Sequence, residues 1–138
     1  QLPTQKKHEN LLREKAFEIM QDLNIDHMAD SYARELSGGQ KKLLELGRSI
    51  INEPEILLLD EPLAGVNPKL AEEILSIIQK LSDQGISIIM VEHNIEAVMK
   101  ISKRVIVLAE GSVIADGNPE EVRKNPKVIE AYLGAGNE

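Results

Sequence analysis

Three short apolar runs, the one ending in "ILLLD" at Asp60, "ISIIMVE" at 86–92 and "RVIVLA" at 104–109, alternate with segments whose apolar residues recur at helical spacing. This alternation limits the fold more than any other feature. A run of five or so residues that is apolar at nearly every position suits a strand buried on both faces, as in a parallel sheet. Strand, helix, strand, helix, strand is the pattern of an α/β domain with a mainly parallel sheet.

The helical segments carry their own punctuation. Leu12, Ala16, Ile19, Met20 and Leu23 share one face of a first helix. Ser37 followed by Gln40 is a capping-box pattern, so a second helix is expected to open there and run to about Asn52, with Pro54 as its stop. Leu70, Ile74, Ile77, Ile78 and Leu81 repeat the spacing, and Gly85 ends that helix. A short helix is expected over "NIEAVMKIS". Glu110-Gly111 then forms a tight turn into "SVIAD", an antiparallel hairpin at the sheet margin. Asn118 caps a helix with Pro119 in its first turn, and a last short helix carries "VIEAYL".

The chain's 138 residues suffice for one domain. Its core must be aliphatic, because Phe17, Tyr32 and Tyr132 are the only aromatics, and stacking platforms for single-stranded nucleic acid are lacking. The net charge of −7 argues against a general nucleic-acid or anionic-membrane surface. With no cysteine, disulfides and thiolate metal sites are excluded. No apolar run approaches the ~20 residues needed to cross a bilayer. The start at Gln1 fits a piece of a longer chain.

Candidate chemistry sits at three places. In "LSGGQ", Ser37, Gly38, Gly39 and Gln40 open a helix whose free N–H groups and partial positive charge suit a phosphate, with glycines allowing close approach. The same residues are equally a plain helix cap. Asp60 ends a central strand, where ligands of open α/β sheets bind, and a carboxylate there suits Mg²⁺ held largely through water. Glu61 follows, placed to orient or deprotonate a water attacking a terminal phosphate, or else simply solvating a loop. His93 tips the next strand, where it either meets that phosphate or caps the following helix. His8 and His27, in the polar N-terminal third, are given no function.

Taken in order and spacing, these stretches resemble the C-terminal part of the ATP-binding subunit of ABC transporters over about residues 9–133. "LSGGQ" is similar to that family's signature, "ILLLDEP" to its Walker B strand with the catalytic glutamate, "AGVNP" to its D-loop and His93 to its switch histidine. The resemblance implies a P-loop NTPase-like fold. Residues 1–52 would be part of the helical signature subdomain, and residues 53–138 the C-terminal half of the ATPase core. It implies ATP and Mg²⁺, with Asp60 on the metal, Glu61 and His93 catalytic, and Ser37, Gly38, Gly39, Gln40 and Asn67 on the nucleotide. Each ATP would be sandwiched between two ATP-binding subunits, in a homo- or heterodimer on the cytoplasmic face of the cell membrane. Integral membrane permease subunits and, indirectly, a substrate-binding protein would be partners, and nucleic acid would not.

Within the family, "LSGGQKKLLELGRSI", "DEPLAGVNP" and "GNPEEVRKNPKVIEAYLG" look most like ATPases of branched-chain amino acid importers, with similar stretches in urea-type importers and lipopolysaccharide exporters. Most ABC D-loops end in aspartate, whereas this one ends in Asn67, as in the branched-chain group. The family's lysine loop (Walker A), adenine-stacking aromatic and glutamine loop all precede the signature, and the roughly 35 residues before Ser37 have no room for them. These residues alone are therefore expected to bind ATP poorly, hydrolyse none and aggregate. The alternatives are a non-transport ABC ATPase, or an inactive remnant without the lysine loop.

Overall fold

The computed structural model describes residues 3–133, and the chain divides into two compact units, Gln1–Val91 and Glu92–Glu138. In the first unit, helix α1 (Pro3–Asp22) leads through single 3-10 turns at Asp26–Met28 and Ala33–Glu35 to α2 (Gly38–Ile50). Strand β1 (Ile56–Asp60), helix α3 (Pro68–Asp83) and strand β2 (Ser87–Val91) follow. The two strands pair in parallel, Leu58 opposite Ile89 and Asp60 opposite Val91, so β1, α3 and β2 make one βαβ unit. The expected punctuation holds: Gly85 lies in a left-handed conformation just past α3, at φ +101°.

Leu23, Ile25, Leu43, Leu46, Leu57, Ile74 and Ile78 form the interior of this unit. Helix α2 can lie close on α1 because position 47 is glycine. A Cβ there would stand 2.8 Å from Leu23 Cδ1 and 3.4 Å from Ile19 Cγ2.

One expectation is corrected. The strands are not covered on both faces. Leu57 is buried, but its neighbour Leu58 is 71% exposed, and Ile56, Ile89 and Val91 are exposed with it. Successive side chains point to opposite faces of a strand, so the helices that cover Leu57 cannot also cover Leu58. An apolar run records what a strand is suited to bury, and a second covering layer has to be present for that burial to occur.

The second unit comprises α4 (Ile95–Ile101), β3 (Val105–Ala109), β4 (Ser112–Gly117), α5 (Pro119–Lys124), α6 (Pro126–Val128) and a closing π-helical turn, Ile129–Leu133. Strands β3 and β4 form the expected antiparallel hairpin, a two-stranded sheet separate from β1–β2. Its turn has both central residues left-handed, Glu110 at φ +49° and Gly111 at φ +75°, the geometry that matches strand twist. Val107 stands opposite Ala115 and Leu108 opposite Val113, leaving Ile114 as the extra residue of a bulge. The core here is Met99, Val105, Ala115, Val122 and Val128. Arg104 closes the open end of the hairpin, donating to both carboxylate oxygens of Asp116 at 2.8 and 2.7 Å.

Candidate nucleotide site

The turn that opens α2 is built by reciprocal capping. Ser37 is the N-cap, and its hydroxyl accepts from the Gln40 N–H at 3.2 Å, while the Gln40 side-chain oxygen accepts from the Ser37 N–H at 2.9 Å. These bonds use one free donor at each end of the box and leave the N–H groups of Gly38 and Gly39 at the head of a 13-residue helix. The two glycines differ in their surroundings. Nothing lies within 4 Å of the place where a Cβ on Gly38 would sit, so ligand can come up to the backbone there. A Cβ on Gly39 would stand 2.5 Å from Leu70 Cδ2 of α3, so a side chain there would make the end of Leu70 turn aside.

Ser37, Gly39 and Gln40 line an open cleft of about 510 Å³, with Gly65, Val66 and Asn67 on its far side. The loop after β1 and the turn opening α2 therefore meet at one concave surface. Asn67 is the N-cap of α3, its side-chain oxygen accepting from the Leu70 N–H at 2.9 Å.

Asp60 is the last residue of β1, and its carboxylate is exposed. Glu61 turns the chain sharply: it adopts φ +46°, and its N–H donates to the Val91 carbonyl at 2.8 Å. A non-glycine residue held in the left-handed region costs about 1 kcal/mol or more and persists only where its surroundings impose it. Here the cost accompanies a carboxylate carried just beyond the carboxyl end of a parallel strand pair.

His93 is the second residue of the second unit, with its side chain 75% exposed and Nδ1 4.0 Å from Glu92 Oε2. It does not cap the helix that follows. Asn94 does, accepting from the Ala97 N–H at 3.1 Å. Thus Ser37, Gly39, Gln40 and Asn67 share a cleft, Asp60 and Glu61 share a strand end, and His93 stands in its own unit.

Sequence reasoning gave His27 no role, yet its Nε2 lies 3.5 Å from Gln40 Nε2. Asn24 and Lys69, though not His27, line the cleft. No spacing rule marks these three residues, which lie in a loop, a 3-10 turn and the first turn of α3.

Among the described residues, no three His, Cys, Asp or Glu side chains gather into a metal cage. The exposed Asp60 carboxylate fits instead an ion such as Mg²⁺, which keeps much of its water and takes one or two carboxylates together with substrate phosphates. Among the same residues, no helix is long and apolar enough to cross a membrane.

Comparison with known proteins gives this geometry its context. A family model described as ABC transporter matches residues 1–64, and one described as Branched-chain amino acid ATP-binding cassette transporter matches residues 112–137. The probable branched-chain amino acid transport ATP-binding protein LivG of Archaeoglobus fulgidus is 46% identical over 129 residues, 94% of this chain and 50% of the relative. The lipopolysaccharide export system ATP-binding protein LptB of Haemophilus influenzae is 36% identical over 122 residues, 88% of this chain and 51% of the relative. The chain spans about half the length of the curated relatives it matches. A crystal structure of the ADP conformation of MJ1267, an ATP-binding cassette of an ABC transporter, superimposes with a TM-score of 0.79 at 38% identity, covering 89% of this chain and 50% of that one. The fold is accordingly that of part of a P-loop NTPase-like cassette. Two family models on separate segments, and alignments over most of the chain, establish that it belongs to the ABC transporter ATP-binding family, as a C-terminal part most like the branched-chain amino acid ATPases.

Proposed function

We propose that this chain is the C-terminal part of the ATP-hydrolysing subunit of an ABC importer for branched-chain amino acids. The observation that supports this most is the shared cleft: the capped, glycine-opened turn at Ser37–Gln40 and the Asn67 loop face one concave surface. In this reading residues 1–52 are part of the helical signature subdomain, and residues 53–138 belong to the ATPase core.

The signature turn binds an ATP held mainly by a second subunit. The Gly38 and Gly39 N–H groups and the helix dipole face the developing negative charge on the terminal phosphoryl oxygens, where fixed donors need no rearrangement as charge builds. Glu61 orients water and takes its proton as the oxygen attacks the γ-phosphorus. The bond to the β–γ bridging oxygen then breaks, and ADP leaves. His93 hydrogen-bonds the terminal phosphate or that water, and Asn67 contacts the opposing subunit. Asp60 would hold Mg²⁺, which when bound supplies charge neutralisation on the phosphates. Closure of two subunits on ATP drives permease subunits between access states, on the cytoplasmic face of the membrane, with a substrate-binding protein delivering the cargo.

In the intact subunit, Glu61→Gln should abolish turnover while leaving ATP binding in place. Equal turnover would remove Glu61 from its role. Because an export ATPase is 36% identical to the chain, import is tested separately. Uptake of leucine, isoleucine or valine by cells carrying the intact gene, and its loss on deletion, supports import. Unchanged uptake on deletion would point to export or to an inactive remnant.

A further inference from the structure

We infer that His27 is a positioning residue for the signature turn, holding the Gln40 carboxamide so that the capping box presents the Gly38 and Gly39 N–H groups in one fixed orientation. The inference rests on the nucleotide-binding reading of that turn. Gln40 Oε1 accepts from the Ser37 N–H, which is a donor only, so the carboxamide NH₂ must face the other way. What it meets is His27 Nε2 at 3.5 Å. Two donors cannot share that contact, so the bond calls for the tautomer in which Nε2 is the acceptor.

The brace is useful because the box it supports is exposed. Both box hydrogen bonds face solvent, where each adds little net stability and water competes for the same groups. Open space surrounds the place a Gly38 side chain would take, and a Gly39 side chain would meet chiefly the end of Leu70. His27, by contrast, is carried on a firm base. Its turn, Asp26–Met28, follows Leu23 and Ile25, each 1% exposed. The Ile25 N–H donates to the Met20 carbonyl, and the Met28 N–H to the Ile25 carbonyl. A turn anchored by buried neighbours thereby reaches across 13 positions of sequence to one side chain of an exposed cap. Donors held in place before charge develops contribute more than donors that must be gathered.

The test uses the intact subunit carrying Glu61→Gln, in which ATP-driven dimerisation is followed by light scattering and the Gln40 side-chain amide by NMR. His27→Leu removes the acceptor, and His27→Gln restores one. We expect His27→Leu to shift the Gln40 amide resonances and raise the ATP concentration for half-dimerisation about three- to tenfold with melting temperature unchanged, and His27→Gln to return it to within about twofold. Unshifted Gln40 resonances in His27→Leu, or an equal loss in both variants, would overturn the inference. If the Glu61→Gln parent does not dimerise with ATP at all, the nucleotide-binding reading fails, while the Gln40 resonances still decide whether His27 holds that side chain.

Discussion

The Glu61 N–H donates to the Val91 carbonyl at 2.8 Å, tying the residue after one parallel strand to the last residue of the next. The bond is made by backbone, so a substitution at position 61 leaves its donor and acceptor in place. In the intact subunit, Glu61→Gln, which nearly keeps the side chain's shape, should therefore retain this bond and fold. Its steady-state ATPase should fall by about a hundredfold or more, the range for loss of a general base. Thermal melts and phosphate release measured on the same preparation check both halves.

The two signature glycines should respond differently to alanine. At Gly38 there is open space, so Gly38→Ala should leave the melting temperature nearly unchanged while weakening ATP-driven dimerisation. Gly39→Ala must displace Leu70 Cδ2 and should cost about 1 kcal/mol of stability. Combining it with Leu70→Ala should cost less than the sum of the two single changes, as judged by denaturant titration.

Asn67 caps α3, which makes its identity a matter of stability as well as of any contact across subunits. Asn67→Ala should destabilise by about 1 kcal/mol. Asn67→Asp retains the cap and adds a negative charge where the helix dipole favours one, so stability should hold or rise. A loss of stability in Asn67→Asp equal to that in Asn67→Ala would show that the cap is not what position 67 contributes.

The Arg104–Asp116 pair makes a pH prediction. Hydrogen bonds from the guanidinium hold the Asp116 carboxyl below its usual range, desolvation opposes them, and the Arg104 charge adds to the lowering. A carboxyl with a depressed folded value stabilises above its unfolded value and loses that contribution as pH falls through the folded one. The Asp116 titration by NMR should thus be displaced to acid, and Arg104→Gln should move it back up. Both groups are solvent-exposed, so the effect on global stability should be small.

Residues 1–138 produced alone should aggregate, bind ATP weakly and hydrolyse none. Leu58 and Ile89 face each other across the ladder on an uncovered apolar face, and Ile106, Leu108 and Val113 are exposed on the hairpin. Uncovered apolar surface and open strand edges favour association. Light scattering should fall when Leu58→Lys and Ile89→Lys are combined, and a parent that stays monomeric at high concentration would contradict the prediction.

The strands, the main helices and the caps at Ser37 and Asn118 were legible from local pattern, whereas the caps at Asn67 and Asn94 emerged only in the structure. Ser37 with Gln40, Pro119 after Asn118, and the Glu110-Gly111 turn act over three or four residues, and physics at that range needs no knowledge of the rest of the molecule. The positions of Asp60, Glu61 and His93 at or just beyond the ends of apolar runs were legible for the same reason. What tertiary structure alone decided were relations between segments far apart in sequence. Leu57 is buried and Leu58 bare because helices cover one side of the sheet; a side chain at position 39 would meet Leu70 because α3 lies beside that turn; and His27 meets Gln40 because a turn anchored by Ile25 carries it there. A side chain's periodicity states what it can bury, and only the packed chain supplies the neighbour that does the burying.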